Sequence, residues 1–275
     1  MIAAPDLLSR LPVGSWLIRE NYVRNRGQSP IIDTAAGREY ASGMPRVGRI
    51  VIPQIPYHVT QRGNNRQEVF FVDDDRRYYL AVLEEQAKRH GMAVLGYCLM
   101  PNHIHLVVRP HAADSLAKAV GRTHFLYSQS INRLHGRSGH LWQGRFYSCA
   151  LDNAHCWAAL CYVERNPVRA RLAKRAWEYP WSSAKVHCGG TNDSGLLALE
   201  EWRKVCETDD WKQWLQRPED DARMRHLRMH TQTGRPLGSD SFLSKIERTL
   251  GRRLRPLPVG RPRKPRTDTG HDENR

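Results

Sequence analysis

The chain has 275 residues, 40% hydrophobic and 26% charged, a composition suited to one sizeable domain with appendages. Lys and Arg total 43 against 28 Asp and Glu, a formal net charge of +15, which favours a polyanionic partner because each neutralised phosphate releases counterions. No run approaches the ~18 apolar residues of a membrane-spanning helix, and Asp6, Arg10 and Arg19 spoil the N-terminus as a secretory signal, so a cytoplasmic, nucleoid-associated protein is expected.

Residues 1–43 lack periodicity and are expected to form a poorly ordered extension, with Met44 as an alternative start. Tyr57 to Thr60 reads as a strand closed by the turn cluster Gly63-Asn64-Asn65. A helix is expected from Asp73 to His90, with aspartates at its start, Tyr79, Leu80, Leu83 and Ala87 as its stripe, and Gly91 after it. "MAVLGYCLM" and "HIHLVVRP" read as a hairpin turning at Pro101-Asn102. A second helix runs from about Asp114 to His135, and "GRSGHLWQGRFYSCALD" follows as loop and strand. The third helix is expected over Asn153–Arg165, with Asn166-Pro167 as its stop, since the residue before proline avoids the α region. "AWEYPWSSAKVH" packs the domain closed, and 196–250 reads as helical, with Trp202, Trp211, Trp214 and Leu215 as core. From Gly251 the chain is rich in Arg and Pro and reads as a disordered tail. These readings divide the chain into 1–43, 44–188, 189–250 and 251–275. The six cysteines form no C-x-x-C pair and read as reduced thiols.

Chemistry concentrates in two places. In His103-Ile104-His105 the strand period puts both imidazoles on one face, where they suit one divalent ion or a solvated sheet surface. In "LCYVERNPVRARL", Tyr162 and Asn166 lie four residues apart on one helix face. They suit a nucleophile beside a neutral oxygen ligand, or a core aromatic and a helix stop. Tyr127, the rival nucleophile, falls on a stripe with Leu116, Val120, Ile131 and Leu134 and reads as packing. His58 reads as an ordinary half-buried polar residue, and Glu164 points away from Tyr162.

Taken together, "YCLMPNHIHLVV", "GRSGHLWQGRF", "YVERNPVRARL" and "YPWSSAKVH" resemble the single-tyrosine HUH transposases, specifically the REP-associated tyrosine transposases, over about residues 44–188. "TGRPLGSDSFLSKIERTLGRRLRP" is similar to the C-terminal appendage of some members. The resemblance implies an α/β (α+β) fold: a ferredoxin-like antiparallel sheet with helices on one face, here with a helical and basic C-terminal extension. It implies His103, His105 and Asn166 as ligands to Mg2+ or Mn2+, and Tyr162 as nucleophile. The implied substrate is single-stranded DNA with hairpin repeats, cut and rejoined through a 5′-phosphotyrosine. A tyrosine hydroxyl ionises near pH ~10, so it needs the ion or a base to attack at neutral pH.

Trp142 and Arg145 suit a grip on DNA by stacking and phosphate contact, and Trp142 suits a place in the core as well. In the tail, Gly260-Arg261-Pro262 resembles the centre of an AT-hook, although Val259 stands where an arginine is usual. Arg261, Arg263 and Lys264 are therefore read as a basic arm with sequence-blind DNA affinity. A non-catalytic regulator that binds DNA hairpins is the main alternative, and a replication or conjugation initiator a third reading. The oligomeric state stays open, with a homodimer among the states allowed.

Overall fold

The computed structural model describes residues 51–255, Glu207 and Asp209 excepted. The extension at 1–43, Met44, and the tail residues Arg261, Arg263 and Lys264 lie outside the described residues. Strands β1 (Tyr57–Arg62), β2 (Met92–Met100), β3 (His103–Pro110) and β4 (Tyr147–Ala150) form one antiparallel sheet in the order β2-β3-β1-β4. Helix α1 (Asp73–Arg89) joins β1 to β2, and α2 (Ser115–Leu134) joins β3 to β4. This β-α-β-β-α-β order is ferredoxin-like and makes β3, with its two histidines, a central strand.

Local chemistry places the boundaries. The Asp75 carboxylate accepts from the Phe71 and Val72 amides at 2.7 and 3.0 Å, occupying donors at the start of α1. Gly91, at φ +60°, takes the left-handed turn that releases the chain into β2. Residues of one parity, Tyr57, Val59, Ile104, Leu106 and Val108, enter a core with Tyr79 and Leu83 of α1 and Leu116, Val120 and Tyr127 of α2. Each fully buried aliphatic side chain there contributes ~1.5–3 kcal/mol. Trp142 belongs to this core, only 7% exposed, with its indole N–H donated to the His124 carbonyl at 3.3 Å and its ring 4.6 Å from that of His124. Its expected stacking on DNA bases is therefore corrected, because the ring is already committed to packing. Arg145, three residues on, is exposed.

The helices are not confined to one face. While α1 and α2 cover one side of the sheet, α3 (Asn153–Arg169) covers the other, with Leu160 and Val163 in a second core beside Leu95, Cys98, Val107 and Cys149. Gly96 marks the closest approach, since a Cβ there would lie 2.6 Å from Leu160 Cδ2. The expected stop at Asn166-Pro167 is also corrected, since α3 continues through Pro167 to Arg169. Proline near a C-terminal end forfeits one hydrogen bond to the preceding turn, and packing of the buried face outweighs that loss.

After α3 come α4 (Ala184–His187), α5 (Leu199–Arg203), α6 (Trp211–Gln216), α7 (Asp221–Thr233) and α8 (Asp240–Leu250). The segment from Trp181 to Ser183 lies along the outer edge of β2, with Leu99 N–H donating to the Trp181 carbonyl at 2.8 Å and Ser183 N–H to the Tyr97 carbonyl at 3.0 Å. Leu237 lies beside the end of β4, with its N–H donating to the Ala150 carbonyl at 2.8 Å. Both sheet edges thus find partners within the chain. Buried Glu164 ties α3 to α4 and α6: Oε1 accepts from Ser183 Oγ and His187 Nδ1, each at 2.5 Å, and Oε2 accepts from Trp211 Nε1 at 2.7 Å. Among the described residues all six cysteines are free thiols, and no helix is long and apolar enough to cross a membrane.

Candidate active site

Strand parity and helix periodicity meet on the α3 side of the sheet. His103 and His105 share the face opposite Ile104 and Leu106, and their rings lie 5.1 Å apart, edge to face. Tyr162 of α3 is 5% exposed and sets its ring edge-on to His105 at 5.5 Å. Asn166, one turn further along α3, is buried as well. Residues from elements 57 positions apart in sequence are thus brought together as the sequence reading required. Tyr127 is not among them: its hydroxyl donates to the Val69 carbonyl at 2.5 Å inside the other core. Glu164 faces the opposite side of α3, as expected from helix geometry.

Further residues complete the cluster. His58, on β1, is 1% exposed rather than half-buried, and its Nε2 lies 3.0 Å from His105 Nδ1. The opposite ring nitrogen, Nδ1, is 2.8 Å from Thr231 Oγ1 of α7. Arg169 stacks its guanidinium 4.4 Å from the centre of the Tyr162 ring and donates to Asn166 Oδ1. Glu219 holds Arg169 in place through a 2.5 Å ion pair. Arg228 of α7 donates its Nε–H to the Tyr162 hydroxyl at 3.2 Å. Arg169 was legible as the residue seven positions after Tyr162 on the same helix face, and His58 as a histidine of inward parity on a strand. Arg228 and Thr231, by contrast, carry no local signal.

Electrostatics keeps the imidazoles neutral. Burial pushes His58 and His103 down to about 3, with the Arg62 and Arg169 guanidiniums adding to the effect at His103. Burial, then the neighbouring histidines and arginines, holds His105 well below the ordinary histidine range. Neutral imidazole is the form that binds a metal. His103 Nδ1 is engaged by Asn102 Oδ1 at 2.6 Å, which leaves Nε2 as the ring nitrogen outside that contact. Asn166 Nδ2 is buried without a hydrogen-bond partner, while Asn166 Oδ1 accepts from Arg169. Among the described residues, no three or more His, Cys, Asp or Glu side chains are grouped to hold a metal ion. A divalent ion at this position would therefore need the Asn166 amide as its third protein ligand, and two imidazoles with an amide oxygen suit such an ion.

A family model described as "Transposase IS200 like" matches residues 51–166, a span holding His103, His105, Tyr162 and Asn166. Over that span the chain is similar to the IS200-like transposases. Two solved structures are similar to this chain. A REP-associated tyrosine transposase bound to a REP hairpin is 17% identical over 51% of this chain and 82% of its own, with a TM-score of 0.42. A putative transposase from Deinococcus radiodurans R1 is 20% identical over 44% of this chain and 96% of its own, with a TM-score of 0.32. No curated protein matches the chain. Arg228 and Thr231 lie outside the span of the family match.

Proposed function

We propose that this chain is an IS200-like transposase of the REP-associated kind and cleaves and rejoins single-stranded DNA beside hairpin repeats, with Tyr162 as nucleophile. The observation that carries the reading is the seat of Tyr162, edge-on to His105 with Arg228 on its hydroxyl. In the reaction, Tyr162 Oη bonds to the scissile phosphorus as the bond from phosphorus to the 3′ oxygen breaks. The phenolic proton departs, and the 3′ oxygen takes up a proton to leave as a hydroxyl. A 5′-phosphotyrosyl enzyme remains, and attack on it by a 3′-hydroxyl returns the phenol and joins the strands. Phosphoester energy is kept throughout, so strand transfer needs no ATP.

Arg228 donates to the phenolic oxygen that attacks, and Arg169 lays positive charge over the ring face beside the entering phosphate. A Mg2+ or Mn2+ ion held by His103, His105 and Asn166 would polarise the scissile phosphate as a Lewis acid. Exposed Arg145 contributes a phosphate contact.

The test is cleavage of labelled single strands, with and without a hairpin from beside the gene, in Mn2+ and in chelator. Metal-dependent cutting of the hairpin strand, lost in Tyr162→Phe, is the expected result. Full cutting by Tyr162→Phe refutes the nucleophile. Tight hairpin binding with no cutting turns the reading to a non-catalytic regulator.

A further inference from the structure

Helix α7 reaches the site from 66 residues beyond Tyr162 and contributes more than Arg228. Thr231 is buried against β1 and β4, and its contacts determine where protons sit. Its hydroxyl donates to the Leu227 carbonyl at 2.8 Å, the bond a helical threonine makes to the preceding turn. A carbonyl oxygen only accepts, so this uses the single proton of the hydroxyl. Thr231 Oγ1 is therefore an acceptor toward its other neighbours, His58 Nδ1 at 2.8 Å and Cys149 Sγ at 3.3 Å.

The remaining protons follow in order. His58 carries its proton on Nδ1 and presents a lone pair on Nε2. That lone pair faces His105 Nδ1 at 3.0 Å, so the His105 proton belongs on Nδ1. His105 is left with a bare lone pair on Nε2. The reverse sense, with Thr231 donating to His58, gives up the Leu227 bond and protonates His105 on Nε2, which blocks ligation there. Only the first sense uses every contact.

We propose that Thr231 and His58 are positioning residues, which fix the tautomer of His105 so that its Nε2 is always the ligating atom. The proposal rests on the metal-site reading above. It makes α7, outside the matched family span, part of the active site. The two histidines are thereby set by different means: His103 by its sequence neighbour Asn102, His105 by a threonine 173 residues from His58. Partners that orient a ligating histidine typically change metal affinity about 10–100-fold when removed.

The test begins with 15N-labelled, chelator-treated wild-type protein, whose long-range nitrogen–proton spectra report which ring nitrogen is protonated. Nδ1–H at both His58 and His105 is expected, and Nε2–H at His105 overturns the proposal without any variant being made. Thr231→Val should then move His105 toward Nε2–H and weaken Mn2+ binding about 10–100-fold, with Thr231→Ser restoring both. An unchanged tautomer and unchanged Mn2+ affinity in Thr231→Val also overturn it. Because the nitrogen spectra need no metal, the two readings fail separately. Nδ1–H at both histidines in a wild type that takes up no Mn2+ would sink the metal site and leave the hydrogen-bond relay standing.

Discussion

Helix α3 carries two buried polar clusters on opposite faces, and they are built on opposite terms. On one face Glu164 presents both carboxyl oxygens to three donors from Ser183, His187 and Trp211, so a buried polar group is matched and closed. On the other face Arg169 and Arg228 converge on the neutral phenol of Tyr162, and the Asn166 amide nitrogen has no partner. Equal burial thus serves different ends. The first cluster spends its polarity on joining α3 to α4 and α6, while the second gathers two guanidiniums around the Tyr162 ring.

The sharpest way to break this contrast is to remove one group from each side. Tyr162→Phe should lower strand cleavage by about 10⁴-fold or more, the scale of losing a nucleophile, while thermal unfolding stays close to wild type. Glu164→Ala should do the reverse, destabilising the fold by about 3–5 kcal/mol in urea titration because three donors lose their acceptor, with cleavage per folded molecule retained. If Tyr162→Phe unfolds the protein, or Glu164→Ala abolishes chemistry in folded protein, the division between the two faces is wrong.

Much of this arrangement could be read from residues alone. Strand parity put His103 and His105 together, helix spacing put Tyr162 with Asn166, and the same spacing kept Glu164 apart. The core stripe of α2 placed Tyr127 in packing, and its ring lies in the core. What escaped depended on contacts distant in sequence. Trp142 sits in a polar, glycine-flanked stretch that suggests a loop for gripping DNA, yet tertiary packing draws the ring beneath α2. Pro167 looked like a stop, because the loss of one hydrogen bond is visible locally and the packing that outweighs it is not. Arg228 and Thr231 lie on α7, whose sequence carries nothing that points to β1 or α3.

Smaller effects sharpen the comparison. Arg228→Ala should slow cleavage by about 10²-fold, the usual loss for a donor to a developing oxyanion, with Arg228→Lys recovering part of it and neither changing unfolding much. In chelator, stability should fall with acid. His58 is held down to about 3 in the fold by burial but titrates near 6.5 when unfolded. The unfolded chain therefore binds the extra proton first, and stability present above pH 6.5 is lost as pH drops toward 3. Urea midpoints across that range check the sign, and a stability that rises on acidification contradicts it. Least of all, Arg145→Ala should lower the salt dependence of single-strand binding by about 0.7 in log–log slope, one phosphate contact, leaving unfolding and cleavage chemistry intact.

We propose that the face of α3 bearing Tyr162 forms a covalent bond to DNA. The direct measurement incubates the protein with a labelled single strand carrying the hairpin repeats and Mn2+, isolates the adduct under denaturing conditions, and maps the modified peptide by mass spectrometry. A phosphotyrosyl peptide at Tyr162, absent in chelator, is the predicted result. Attachment at Tyr127, or tight binding with no adduct on a strand that a related transposase cleaves, would contradict it.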